Sequence, residues 1–241
     1  MARLIDLSGK ITSGMWDYNQ LDLGGAVLPP VEIKPVASIA AHGFDAHALQ
    51  LSTLTGSYLE TSAHLIAGGP TIDQISVEAF IRPARILRLP PAKPYTLIRV
   101  DDLRRCDPGI REGEALLIDT GWGRRWNQPE YVTQAPAFAR STLAWFLEQP
   151  FSILGLDTPV MECRWADRVD ADIQDEVGSL LAPLYKRGML LLAPLVNLDQ
   201  ADTLEGTLIA FPLNIAGVCS TPCRAVFVES VRWPPDPSGA A

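Results

Sequence analysis

The stretch Leu54-Thr55-Gly56-Ser57-Tyr58-Leu59-Glu60-Thr61-Ser62-Ala63-His64 decides how this chain is read. Upstream of it, His47 to Thr53 alternates as a strand does. It sets His47, Leu49, Leu51 and Thr53 on one face and Gln50, Ser52 and Leu54 on the other. Tyr58 and Glu60 are two residues apart, so on extended backbone both side chains point the same way, and His64 closes the loop beside them. A phenol, a carboxylate and an imidazole converging on a pocket form an acid–base set. Imidazole titrates near neutrality, Glu60 can orient it or take a proton, and Tyr58 can donate to a carbonyl oxygen. The same residues also admit a structural reading, in which His64 orders the turn, Tyr58 fills volume and Glu60 pairs with an arginine.

This loop resembles the signature of the cyclase / kynurenine-formamidase-like hydrolases, His-x-Gly-Thr-His-x-Asp-x-Pro-x-His. Gly56 and His64 match, and Ser57 is close to its Thr. Leu54 and Tyr58 stand at its metal-binding His positions, Glu60 replaces its Asp, and Ser62 replaces its Pro. Working outward, Asp6-Leu7-Ser8 with Ile11, Gly14 and Met15-Trp16 is similar to the family's opening segment. Leu116 to Trp122 resembles its strand ending in Thr-Gly-Trp, and Gly155-Leu156-Asp157-Thr158-Pro159 its Gly-x-Asp-x-Pro segment. Leu195 to Asp199 and Pro222-Cys223-Arg224-Ala225 resemble its two late runs. The resemblance covers most of the chain.

It implies a compact fold with a barrel-like mixed sheet, in homodimers or homotetramers. It also implies a site with one or two divalent metals held by His and carboxylates. The family's two downstream ligands, a His and a Glu, fall on Leu181 and Ala193. Leucine and alanine have no lone pairs to give, so four of the family's five ligand positions carry no usual ligand and the fifth is Glu60. The expectation is a site with no metal and no cofactor. His64 takes the family's general acid–base position, with Glu60 and Tyr58 as its catalytic partners. Leu181 and Ala193 are expected to floor a dry pocket under Tyr58, raising the pKa of Glu60 by disfavouring its charged form. Leu54, Ser57, Trp16, Trp122 and Asp157 complete the expected substrate-binding set. For Trp16, Trp122 and Trp126 the alternative is core packing, and for Asp157 a turn or cap.

The chain has 241 residues, 47% hydrophobic and 20% charged, the balance of a globular domain able to bury a sizeable core. A net charge of −8 argues against a nucleic-acid surface, which needs clustered Lys and Arg. There is no basic and then apolar leader at Met1, and the apolar run from Gly188 to Leu198 is too short to span a bilayer. A cytoplasmic protein acting on a small molecule is expected, with no nucleic-acid or membrane partner. Cys219 and Cys223 lack further Cys or His nearby, and read as ordinary thiols.

The organisation predicted is a single α/β domain over 1–232, with a mixed, barrel-like β-sheet flanked by helices, and a disordered tail over 233–241. Strands are expected at 3–12, near 31–39, 83–89, 114–119, 151–156, 189–196, 208–215 and 223–231. Helices are expected at 71–80 with Val77 and Phe80 inward, at 100–106 capped by Asp101, at 135–149, and at 171–187 ended by Gly188. Functionally, the leading expectation is a metal-independent enzyme of secondary metabolism, catalysing ring closure, dehydration, isomerisation or hydrolysis of a cyclic amide or ester. A non-catalytic binding relative that kept the pocket is the first alternative. A hydrolase with a metal relocated to Glu60, His64 and Asp157 is the second.

Overall fold

The computed structural model describes residues 2–165 and 178–233. Its strands, in chain order, are β1 (Leu4–Asp6), β2 (Glu32–Ala37), β3 (Ala46–Gln50), β4 (Tyr58–Glu60), β5 (Ile81–Arg88), β6 (Leu97–Ile98), β7 (Ala115–Asp119), β8 (Ala137–Phe138), β9 (Ile153–Leu156), β10 (Leu190–Ala193), β11 (Glu205–Pro212) and β12 (Ser220–Glu229). The helices are short: α1 (Ile39–His42), α2 (Val100–Arg105), α3 (Thr142–Glu148) and α4 (Leu181–Tyr185). None of them is long and apolar enough to cross a membrane.

Eight strands form one sheet in the order β1-β12-β11-β5-β7-β9-β10-β4. β4 also pairs with β12, which closes seven of them into a ring. Closure is possible because β12 is ten residues long. Its Ser220–Pro222 end pairs with β4, and Val226 to Val228 pair with β1 along the same edge. β5, β7, β9 and β10 run parallel to one another, and the other contacts are antiparallel, so the sheet is mixed as the sequence predicts. β2 and β3 form a separate hairpin, with Val36, Phe44 and Leu49 exposed. The strand entering the signature loop therefore belongs to this arm and not to the barrel.

Alternation along the strands builds two cores. Leu59, Ile86, Leu117, Leu192, Leu208 and Phe227 come from six strands of the ring and fill its interior. Leu87, Leu116, Ile118, Leu154, Leu191 and Ala193 point the other way and pack under α2, α3 and α4.

Several expected elements are corrected. β1 is three residues long, not a strand over 3–12. Two 3₁₀ turns, Ile72–Gln74 and Val77–Phe80, replace the helix over 71–80; Phe80 is buried, but Val77 is exposed. Asp101 does not cap α2; the Asp102 carboxylate accepts from the Arg99 amide at 2.9 Å instead. The helix predicted over 135–149 is only α3, because Ala137 and Phe138 pair with β6. The helix predicted over 171–187 lies outside the described residues up to 177, and α4 occupies its last part, with Gly188 at φ +78° beyond it. The expected tail, apart from Trp233, also lies outside them.

Candidate active site

β4 presents the site by strand alternation. Leu59 enters the barrel core, while Tyr58 and Glu60 point to the outer face. There they meet β10: Tyr58 is the register partner of Ala193, and Glu60 of Leu191. The Thr61 side chain accepts from the Ala63 amide and caps the 3₁₀ turn Ser62–His64, which brings His64 back over Glu60. Leu181 opens α4 on the far side, and the loops around Tyr18 and Val160 close the cavity, which has a volume of about 140 Å³. Leu54, Tyr58, Glu60, His64, Leu181 and Ala193 thus line one space.

Glu60 is 2% exposed. Its Oε1 accepts a hydrogen bond from the Tyr185 hydroxyl. Its Oε2 is buried without a hydrogen-bond partner, and His64 Nδ1 stands 3.3 Å from it, off the line of a good hydrogen bond. Burial pushes the Glu60 carboxyl up to about 7, against the lowering by Tyr185. Burial lowers the pKa of His64. Both groups therefore disfavour their charged forms. The Cys219 thiol lies 4.0 Å from the same Nδ1.

The tyrosines bear on the role expected of Tyr58. Tyr18 donates to the Pro159 carbonyl at 2.8 Å, and a carbonyl can only accept. In the 3.1 Å contact between Tyr18 and Tyr58, the proton therefore comes from Tyr58. Burial raises the pKa of Tyr18, Tyr58 and Tyr185, so all three stay protonated. Tyr58 lines the cavity with its proton committed, and what remains on its oxygen is acceptor capacity. The expected donation from Tyr58 to a carbonyl is corrected accordingly.

Five other residues weighed for the site lie elsewhere. Trp16 packs edge-on against Tyr18 and Trp126, and Tyr18, two residues on, takes the cavity wall instead. Trp122 is fully buried, donating to the Tyr131 carbonyl at 2.9 Å. Trp126 donates to the Lys10 carbonyl. The Ser57 hydroxyl donates to the Pro194 carbonyl at 2.6 Å and accepts from the Gly9 amide. Asp157 accepts from the amides of Thr120, Trp122 and Gly123 and from the Thr120 hydroxyl. Burial pushes its carboxyl up to about 7 against the lowering by these donors. Its oxygens are spent on the loop after β7, so the set Glu60, His64 and Asp157 is not assembled at the cavity.

Sequence reasoning missed Tyr18, Tyr185 and Glu162. Glu162 accepts from the amides of Leu180 and Leu181 and so anchors the entry to α4. Tyr185 lies 125 positions from Glu60, and no local pattern marks it.

Comparison with known proteins agrees with this architecture. Residues 5–163 match the family model described as putative cyclase. A kynurenine formamidase from Bordetella petrii is 26% identical over 189 residues, covering 75% of this chain and 79% of that protein. One from Geobacillus thermodenitrificans is 26% identical over 179 residues, covering 73% and 77%. Among solved structures, isatin hydrolase A from Ralstonia solanacearum superposes with a TM-score of 0.78 at 20% identity, over 94% of this chain and 92% of that one. With more than half of its length matched, and the same barrel-like fold, the chain belongs to the putative cyclase family.

Proposed function

We propose that this protein is a small-molecule enzyme in which Glu60 and His64 perform acid–base catalysis without a metal. The supporting observation is the buried Glu60 Oε2, free of hydrogen bonds, 3.3 Å from His64 Nδ1 on a cavity floored by Leu181 and Ala193. The donor chemistry there does not fit a divalent ion. Leucine and alanine offer no lone pair, and Tyr58 is a protonated phenol. Among the described residues, no three His, Cys, Asp or Glu side chains are grouped to hold one. No step of the reaction is therefore assigned to a metal.

The pair supplies both halves of a proton relay. With Glu60 protonated, Oε2–H faces Nδ1, the imidazole proton sits on Nε2, and Nε2 is the acid. With Glu60 ionised, Nδ1 carries the proton, and Nε2 is the base. Tyr185 holds Oε1, which leaves Oε2 as the carboxyl oxygen nearest the imidazole. Ring closure, dehydration, isomerisation, or hydrolysis of a cyclic amide or ester each needs such a transfer. The carried-over expectation of secondary metabolism belongs to this reading. We put hydrolysis of an amide first among the reactions to test; the names of the similar proteins, kynurenine formamidase and isatin hydrolase, support that order.

The test is a panel of cyclic amides and esters assayed with wild type, His64→Ala and Glu60→Gln, before and after chelation. Turnover should fall by about 10²-fold or more in each variant and be unaffected by chelation. Stoichiometric zinc or manganese whose removal abolishes turnover would falsify metal independence. Binding without turnover, equal in wild type and His64→Ala, favours the non-catalytic relative that kept the pocket.

A further inference from the structure

The hydroxyl protons around the cavity point one way. Tyr58 gives its proton to Tyr18, and Tyr18 gives its own to the Pro159 carbonyl. Thr158 donates to the Val160 carbonyl at 2.8 Å, and Tyr185 to Glu60. Every hydroxyl on or behind the wall has thus spent its donor on protein, and a hydroxyl has only one. Among the described residues, the carboxylates at the cavity are Asp22, Glu60 and Glu162, and the guanidinium there is Arg164, which lies 3.6 Å from Glu162. Apart from the His64 imidazole, the rest of the described lining is apolar, from Leu21, Leu54, Leu156, Met161 and Leu181 among others.

We propose that this cavity selects an uncharged, largely apolar ligand that brings its own O–H or N–H donor, and that it discriminates against carboxylates. A ligand hydroxyl or ring N–H meets the spare lone pairs of the Tyr58 oxygen. A ligand ether or carbonyl at that place meets only another acceptor, and both remain unpaired in a dry space, which costs more than the bond itself gains. Among the described residues, an anionic ligand adds to the buried carboxyl of Glu60 and the part-buried carboxyl of Glu162, with Asp22 exposed at the rim. The acceptor character has a physical origin in β4. Tyr58 faces Tyr18 across the cavity edge, and the Pro159 carbonyl at the end of that chain fixes the direction of both protons. The ligand class rests on the acid–base reading of the cavity as the place where substrate binds.

The test is calorimetric binding at pH 7.5 of three matched bicyclic probes: 2-naphthol, 2-methoxynaphthalene and 2-naphthoate. 2-Naphthol should bind at least about fivefold more tightly than its methyl ether, with 2-naphthoate weakest. In Tyr58→Phe, checked for an unchanged circular dichroism spectrum and melting temperature, that preference should disappear, because the phenol loses its acceptor and the ether no longer faces an unpaired oxygen. Should Tyr58→Phe fail to fold, Tyr18→Phe offers the second route. It removes the link to Pro159 and frees the Tyr58 proton, so the ether should gain on the phenol. An ether that binds wild type as tightly as the phenol overturns the proposal. So does tightest binding of the carboxylate, a preference that survives in Tyr58→Phe, or no binding of any probe. Binding is measured without turnover, so a preference that persists while His64→Ala leaves catalysis intact refutes the acid–base reading alone.

Discussion

At the residue scale, the burial of Glu60 sets how it holds its proton. Its ordinary pKa is 4.5, and burial raises it to about 7. The folded state thus keeps a proton that the unfolded chain releases between these values. The neutral form's stabilising contribution is complete below about pH 4.5 and is lost as pH rises through 7. His64, with its lowered pKa, acts oppositely and costs stability as pH falls below its ordinary value. Comparing wild type with Glu60→Gln isolates the carboxyl. From pH 5 to 8, wild type should lose up to about 3 kcal/mol relative to the variant in urea unfolding. A constant difference across that range would mean Glu60 titrates normally. Asp157 gives a second test, because its work is structural. Asp157→Ala leaves three buried amides without an acceptor and should cost about 3–5 kcal/mol. Asp157→Asn keeps one oxygen for them and should cost about 1–2 kcal/mol. Equal losses for the two substitutions would contradict the hydrogen-bonding role.

At the element scale, the site depends on the pairing of β4 with β10 and β12, since a one-residue slip would turn Tyr58 and Glu60 into the barrel and Leu59 out. The seam between β11 and β12 has little room. A Cβ at Gly206 would stand 2.4 Å from the Val228 carbonyl oxygen, a backbone atom that cannot step aside without shifting the ladder. Gly206→Ala should therefore cost about 3 kcal/mol or more and weaken ligand binding, both read from thermal melts with and without ligand. A melting temperature within a degree or two of wild type would show that the seam yields. Element type was legible where apolar runs were uniform, as at Ala115–Asp119 and Ile153–Leu156, which form β7 and β9. It was misread at 135–149, where helical spacing concealed the pairing of Phe138 with Ile98.

At the scale of the whole molecule, the positions where the family's ligands would stand converge from three distant parts of the chain: Leu54 and Tyr58, Leu181, and Ala193. That convergence allows a reversal. Replacing Leu54, Tyr58 and Leu181 with His and Ala193 with Glu should give a protein whose melting temperature rises with added zinc, while wild type shows no such rise. No difference between the two would mean that the four side chains do not aim at one point. The sequence by itself determined the chemistry of the loop: a carboxylate and an imidazole kept, and lone pairs lost at Leu54, Leu181 and Ala193. It also determined that Tyr58 and Glu60 share one face, because a period of two is written in neighbouring residues. Only the tertiary structure decided which aromatic ring walls the cavity, that Tyr185 grips Glu60, and which way the Tyr58 proton points. Those facts rest on contacts between residues 40 to 141 positions apart, and such contacts follow from the closure and register of the barrel rather than from local composition.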